Sequence, residues 1–162
     1  MFERFTRESR LVVSAAEAEA RELGSPTIEA EHILLALAGL DRATTVGGVL
    51  AEVGLGRDDL VAALDAERER SLAAVGISVG DFDVPPPRPT TKPRMAAGAK
   101  SALEHALRIS LVRADKRIES GHILLALLRA EAGTVPRALR EAGIDRTELN
   151  DRTAAALDAR RA

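Results

Sequence analysis

The chain has 162 residues, 46% hydrophobic but only 2% aromatic, with 23 basic and 25 acidic side chains that nearly cancel and no cysteine. That length suits one compact domain or two small fused ones, while evenly mixed charge provides no basic field for nucleic acid and the missing cysteines exclude disulfides, thiolate catalysis and Cys-based zinc. No apolar run approaches the roughly 20 residues that span a bilayer, and the opening Met1-Phe2-Glu3-Arg4-Phe5 lacks an apolar signal core, so the expectation is a cytoplasmic protein with no membrane partner.

Ala, Leu, Glu and Arg dominate the periodic segments and β-branched residues are scattered, which predicts an all-helical fold with no sheet. In chain order, Thr6 caps a first helix whose stripe is Val12, Ala16, Ala20 and Leu23, and Gly24 stops it. A second helix begins near Ala30 and is apolar nearly all round from Ile33 to Leu37, the mark of an enclosed helix. A third places Val46, Val49, Leu50 and Val53 together and ends at Gly54 with Leu55 behind it, the pattern of a left-handed cap; a fourth runs from about Asp58 into the 60s. Residues 72–94 then carry Asp81-Phe82-Asp83-Val84-Pro85-Pro86-Pro87-Arg88-Pro89 and Thr90-Thr91-Lys92-Pro93, where helix cannot persist because proline lacks the donor and clashes with the preceding turn.

Beyond this linker the pattern starts again. Residues 28–37 read IEAEHILLAL and residues 118–127 read IESGHILLAL; VLAEVGL from Val49 matches ALREAGI from Ala138, and RDDL from Arg57 matches RTEL from Arg146. The second copy has Leu103, Ala106, Leu107, Ser110 and Leu111 on one face of its first helix, and a second helix beginning near Ser120. A third helix follows with Pro136 in its first turn, and a fourth from a Thr147 cap toward Leu157. The expected organisation is a first repeat at 1–71, a proline-rich linker at 72–94 and a second repeat at 95–162, two pseudo-symmetric four-helix units packed into one all-α domain.

The opening MFERFT, the EAEAREL stretch from Glu17 and the two HILLAL segments resemble the amino-terminal double-repeat domain of Clp unfoldases, the ClpC type above all, over nearly the whole chain except the linker. Members usually continue into ATPase modules, whereas Gly98-Ala99-Lys100-Ser101 lacks the earlier glycine of a phosphate-binding loop and reads as a helix start. The resemblance implies a standalone recognition domain that is not an enzyme and carries no cofactor. Its implied partners are Clp unfoldase or protease components, substrate proteins or adaptors, and cyclic peptide antibiotics, with the chain acting as adaptor or decoy.

The resemblance also implies sites. Phosphoarginine is held in some members by a Glu and a nearby Thr, which fall here on Glu31 and Thr6; in the second repeat the Glu position is Gly121 and the Thr position lies near Ala96 or Ala97, so that copy is expected to have lost the site. An adaptor and cyclic-peptide surface would use Phe2, Val13, Lys100 and Glu104, with Met95 where the family often has Phe.

A rival reading comes from Glu29-x-x-His32 and Glu119-x-x-His122, since di-iron bundles draw a Glu-x-x-His pair from two helices and a Glu from each of two others, here Glu17, Glu19 or Glu104. Against it, the second helix is short and Glu29 precedes its first turn, which favours structural histidines bonded to nearby backbone; His105 stands alone and faces solvent. No Ser-His-Asp or paired-carboxylate arrangement can be assembled, so no catalytic residue is assigned. The proline segment is read as a spacer in preference to a recognition peptide; a third reading folds it back over the groove between repeats with Phe82 and Val84 as anchors.

Overall fold

In the computed structural model, which describes residues 2–89 and 91–162, Thr6 closes the first turn of α1 (Arg7–Glu22) by accepting the Ser9 amide at 3.1 Å. Met1 and Thr90, which the sequence reading includes in the opening segment and the linker, lie outside the described residues. The helix buries Val12, Ala16 and Ala20 and ends at Gly24, where φ is +67° and the Arg88 carbonyl of the linker crosses so closely that a Cβ has no room. Only glycine meets both demands.

The chain continues through β1 (Thr27–Ile28), α2 (Ala30–Ala38), α3 (Thr45–Glu52) and α4 (Arg57–Ala73). After the linker come β2 (Arg94–Met95), α5 (Ala97–Val112), α6 (Ser120–Leu128), α7 (Thr134–Glu141) and α8 (Arg146–Arg161). The apolar second helices form the centre: His32 to Leu37 on α2 and all of α6 are buried, and the two helices touch. Burial of each such leucine or isoleucine side chain is worth about 1.5–3 kcal/mol, which outweighs the modest intrinsic preference of so short a helix.

The two repeats exchange parts. The segment before α1 bonds to the lead of α6, with Ile118 N–H donating to the Arg4 carbonyl at 2.8 Å and Thr6 N–H to the Ile118 carbonyl at 3.0 Å. Reciprocally, β2 pairs in parallel with β1, Thr27 opposite Arg94 and Ile28 opposite Met95, and Ala96 N–H donates to the Ile28 carbonyl at 3.0 Å. The fourth helices cross over in the same way: α4 packs on α7 and α8 on α3. Ion pairs staple both crossings, Arg70 to Glu141 at 2.5 Å and Arg137 to Glu67 at 2.7 Å on one side, Arg152 to Glu52 at 3.3 Å on the other.

Four expectations need correction. A sheet exists, though it is a single two-residue pair; no periodicity announces it because it is held by backbone bonds between repeats. The cap of α8 is Asp145, not Thr147: the Asp145 carboxylate accepts the amides of Thr147 and Glu148 at 2.9 and 3.1 Å, which places Thr147 inside the helix. Leu23 and Leu111 are 44% and 54% exposed: Leu23 is the cap residue just past the end of α1 at Glu22, and Leu111, eight residues after Leu103, has turned away from a face that repeats every 3.6 residues. Phe82 and Val84 are 60% and 66% exposed, so neither anchors the linker in a groove; beyond the end of α4 at Ala73 the linker holds a short 3-10 turn at Val79–Asp81 and, among the described residues, no other helix or strand before β2.

Glu67 yields a pH prediction. Burial pushes its carboxyl up, but hydrogen bonds from Ser71 at 2.6 Å and Arg137 at 2.7 Å more than offset this and hold it below the ordinary 4.5. A depressed carboxylate contributes stability that is present above its unfolded value and disappears as pH falls through the folded one. Glu67→Gln should therefore lower stability near neutrality by about 1–2 kcal/mol, limited by the half-exposed arginine, and urea titrations of variant and wild type should converge toward pH 3.

Candidate functional site

The exchange creates two equivalent junctions, each made where the start of one repeat's first helix meets the start of the other's second helix. In the first, Thr6 Oγ1 lies 2.9 Å from Ser9 Oγ, buried Ser9 donates to the Ile118 carbonyl at 2.8 Å, and Ser120 donates to the Glu8 carboxylate. Gly121 stands where the first repeat has Glu31, and a Cβ there would lie 2.8 Å from Cγ and Cδ2 of buried Leu157. The junction is closed by packing.

In the second junction, Ala96 caps α5 without a side-chain bond and Glu31 lies in the first turn of α2. The register that pairs Arg57 with Arg146 pairs exposed Arg68 with Leu157, so no leucine seals this copy. Two cavities open instead. One, of about 420 Å³, lies toward α1 and α4 with Leu35, Val61 and Leu64 among its walls; the other, of about 440 Å³, lies toward α5, α6 and α7 with Ala102, Leu127 and Val135. Glu29, Glu31 and Thr134 line both.

Among the described residues, Glu31 differs from the carboxylates around it in having no cation or hydroxyl bonded to its side chain. Glu19 is gripped by Arg57 at 2.7 Å through two nitrogens, Glu67 by Arg137, and Glu29 accepts the Thr27 hydroxyl at 2.7 Å. Burial is the main influence on Glu31 and lifts its carboxyl above the ordinary 4.5; its own amide lowers it, Glu29 and Glu67 raise it further and Arg137 partly compensates. An anion held in that condition favours a cation that can bond to it.

The structure therefore separates Thr6 from Glu31. The sequence reading joined them within one repeat, but the strand exchange puts Thr6 at the Ile118 junction and Glu31 beside α5. The hydroxyl nearest in role to Thr6 is that of Thr134, at the first position of α7, and no local pattern could have picked it out because it comes from the opposite repeat. The residues of the expected adaptor surface differ in exposure. Phe2, 47% exposed, leans on Phe5 with ring centroids 5.2 Å apart. Met95 and Val13 pack partly against the core, whereas Lys100 in the first turn of α5 is exposed and Glu104, midway along that helix, is half-buried.

Both Glu-x-x-His pairs have a structural employment. Glu29 N–H donates to His32 Nδ1 at 2.8 Å and Glu119 N–H to His122 Nδ1 at 2.9 Å, so each imidazole caps its own helix. The other nitrogen of His122 bonds Asp115 at 2.9 Å, in a knot where Arg113 and Arg161 also reach Asp115, each at 3.0 Å. Burial pushes the Asp115 carboxyl up, but these partners hold it below 3.8. Burial keeps His32 below 6.5 against the pull of Glu29 and Glu19. Of the carboxylates considered for a metal, Glu17 pairs with Arg21 at 2.6 Å and Glu19 with Arg57, and no group of three or more acidic or histidine residues is arranged to hold an ion among the described residues. His105 is exposed and bonded to the Ser101 carbonyl at 2.8 Å. No helix is long and apolar enough to cross a membrane among the described residues.

Comparison with known proteins gives one consistent likeness. Residues 94–161 match the Clp repeat (R) N-terminal domain family. The chain is 32% identical over 149 residues to the chloroplastic chaperone protein ClpC1 of Arabidopsis thaliana, and 32% identical over 149 residues to a chloroplastic ClpA homolog of Brassica napus. The alignment takes in 92% of this chain in both cases but only 14% and 15% of those proteins. Among solved structures, the N-terminal domain of ClpD from Arabidopsis thaliana superposes with a TM-score of 0.69 at 20% identity, covering 97% of this chain and 99% of that one. The ClpV N-domain in complex with a VipB peptide superposes at 0.60 with 22% identity, covering 97% and 89%.

The closed junction makes its own prediction. Gly121→Glu should not restore a second copy of the Glu31 site. It should displace Leu157 and cost about 1–3 kcal/mol by overpacking, read as a fall in thermal midpoint; a variant as stable as wild type would mean that the junction is looser than its packing indicates.

Proposed function

The chain belongs to the Clp repeat N-terminal domain family, and from that premise we propose that it is a recognition module which captures segments of other proteins for Clp-type proteolysis, with an arginine guanidinium, free or phosphorylated, as the group bound at Glu31. One observation carries the reading: a half-buried carboxylate whose neighbours are satisfied and which is not, at the meeting point of two cavities. A guanidinium offers a planar fork of donors that matches a carboxylate, and in a partly desolvated site such a bond is about twice as strong as a neutral one. The peptide in the ClpV N-domain complex is consistent with a peptide-binding role for this fold.

Thr6 does not belong to this site in the proposal; its hydroxyl serves as the cap of α1. Phosphate, where present, would turn toward the start of α5, whose Ala96 leaves the first amides without a side-chain acceptor, and toward Thr134. A second docking surface for adaptors or cyclic peptides, at Phe2, Val13, Met95, Lys100 and Glu104, rests on the aromatic face that Phe2 keeps in solvent. The unfoldase the chain would serve is a Clp component that recognises this domain, and whether it delivers substrates or diverts them depends on that partner.

Calorimetry decides the central point. Arginine-bearing and phosphoarginine-bearing peptides should bind once per chain and lose at least about tenfold in affinity in Glu31→Ala, a change of 1.4 kcal/mol. Binding should tighten as pH rises through the elevated Glu31 value, because the guanidinium favours the ionised carboxylate and the complex forms with release of a proton. Undiminished heats in the variant would remove Glu31 from the site.

A further inference from the structure

We propose that the outward face of the Phe5–Ile118 bridge, where Arg4, Arg7, Lys116 and Arg117 come together, is a docking patch for an acidic segment of a partner protein. The patch lies at the closed junction and makes no use of Glu31.

Backbone pairing gathers the cations. Phe5 and Ile118 are partners in a parallel bridge, and both side chains are fully buried. Side chains alternate between the two faces of an extended segment, so one residue earlier Arg4 and Arg117 stand next to each other on the solvent side. The Arg4 guanidinium donates to the Asp115 carbonyl at 3.2 Å, which holds it against the same loop. Lys116, Arg117 and Arg7, the first residue of α1, are exposed. None of these four has an ion pair among the described residues, whereas most carboxylates of the two segments are engaged. Asp115 bonds Arg113 and Arg161, Glu119 bonds Arg160, and Glu8 accepts the Ser120 hydroxyl, which leaves Glu3. A local surplus of positive charge thus stands on a chain whose formal charge is -2.

The other junction shows that the fold does not require this charge. Matching Ile28 with Ile118 and Met95 with Phe5 puts Thr27 in the place of Arg117, Pro26 in that of Lys116 and Ala97 in that of Arg7. There Arg94 is opposite Thr27. Here an arginine is opposite an arginine, and like charges so placed destabilise a strand pair. Arg7 is also unfavourable where it stands, because the start of a helix prefers negative charge. The loop that carries Lys116 and Arg117 is pinned. Ala114 takes φ of +58° where the first repeat has Gly24, Asp115 N–H donates to the Ser110 carbonyl at 2.8 Å, and the Asp115 carboxylate is gripped from two sides. Cations that lower local stability, on a loop already held in one shape, are arranged for a ligand that needs little ordering to bind.

The chemistry of the patch selects that ligand. Three guanidinium forks and an ammonium suit carboxylates, which a fork holds through two parallel bonds. The patch is short and bordered by Glu3, Glu8 and Glu119, which would repel a continuous phosphate backbone but leave room for a few carboxylates of one segment. A stretch of protein with several Asp or Glu residues close together fits it, and its binding should weaken with salt.

The test uses the full chain and fluorescence anisotropy with a fluorescein-labelled octapeptide in which aspartate and glutamate alternate with serine, beside a control peptide in which asparagine and glutamine replace the acids. At about 50 mM salt the acidic peptide should bind at least about tenfold more tightly than the control, and the preference should shrink at about 300 mM. Arg117→Glu should remove most of that preference, whereas Arg94→Glu, the same change of charge at the exposed counterpart of Arg4, should leave it within about twofold. Arg117→Thr, which installs the residue of the first repeat, should weaken the acidic peptide by about five- to tenfold and yet raise the thermal midpoint by roughly 1–3 °C, because the like-charge pair is gone. Circular dichroism checks that each variant is folded. No binding of the acidic peptide, equal binding of the two peptides, or an equal loss in Arg94→Glu and Arg117→Glu overturns the proposal. So does tighter binding of a labelled single-stranded oligonucleotide of the same length, which would assign the patch to nucleic acid.

Discussion

Every feature of this protein depends on the reciprocal exchange between its two repeats. Each repeat lends its leading segment to the other's second helix and lays its fourth helix on the other's third. Neither repeat has a complete core without its partner: α2 and α6 are apolar nearly all round and touch each other, so each needs neighbours from both halves to leave water. The backbone bonds at Ile28 and Ile118 then set the depth and angle at which the halves meet, because an unpaired amide at a buried junction would cost free energy comparable to a lost hydrogen bond.

The same exchange explains why a duplicated sequence carries one open junction instead of two. At the Thr6 junction the second-helix position is glycine, and the space a side chain would take is filled by Leu157. At the Ala96 junction the second-helix position is Glu31, and the residue in place of Leu157 is an arginine that stays in solvent. Two substitutions at equivalent places convert a packed seam into a cavity. The helices themselves do not change, since the packing of α1 on α2 and of α5 on α6 is alike in both halves.

Electrostatics then gives the open junction its character. Carboxylates nearby are joined to arginines or hydroxyls, and such partly exposed pairs contribute little to stability individually; among the described residues of that cluster Glu31 is left with neither a cation nor a hydroxyl on its side chain, under the influence of Glu29 and Glu67. The histidines that suggest a metal are occupied instead by the amides of Glu29 and Glu119, a use that follows from their position three residues after the helix-capping residue. A polar residue in this protein is best understood by which backbone group or opposite charge it already satisfies.

The amino-acid sequence by itself determined the helices, their order and their duplication, because these follow from local periodicity, caps and turn residues: Thr6 at a cap, Gly54 and Gly143 with φ of +70° at left-handed caps, and the nearly identical apolar segments at 28–37 and 118–127. It also singled out Glu31 through the resemblance to the Clp family. Tertiary structure alone decided which residues meet. The strand pairing, the burial of Gly121 under Leu157, the separation of Thr6 from Glu31 and the arrival of Thr134 beside it all depend on how two similar halves are docked. Docking is fixed by contacts between residues far apart in the chain, so a residue's neighbours along the sequence hold no record of its neighbours in space.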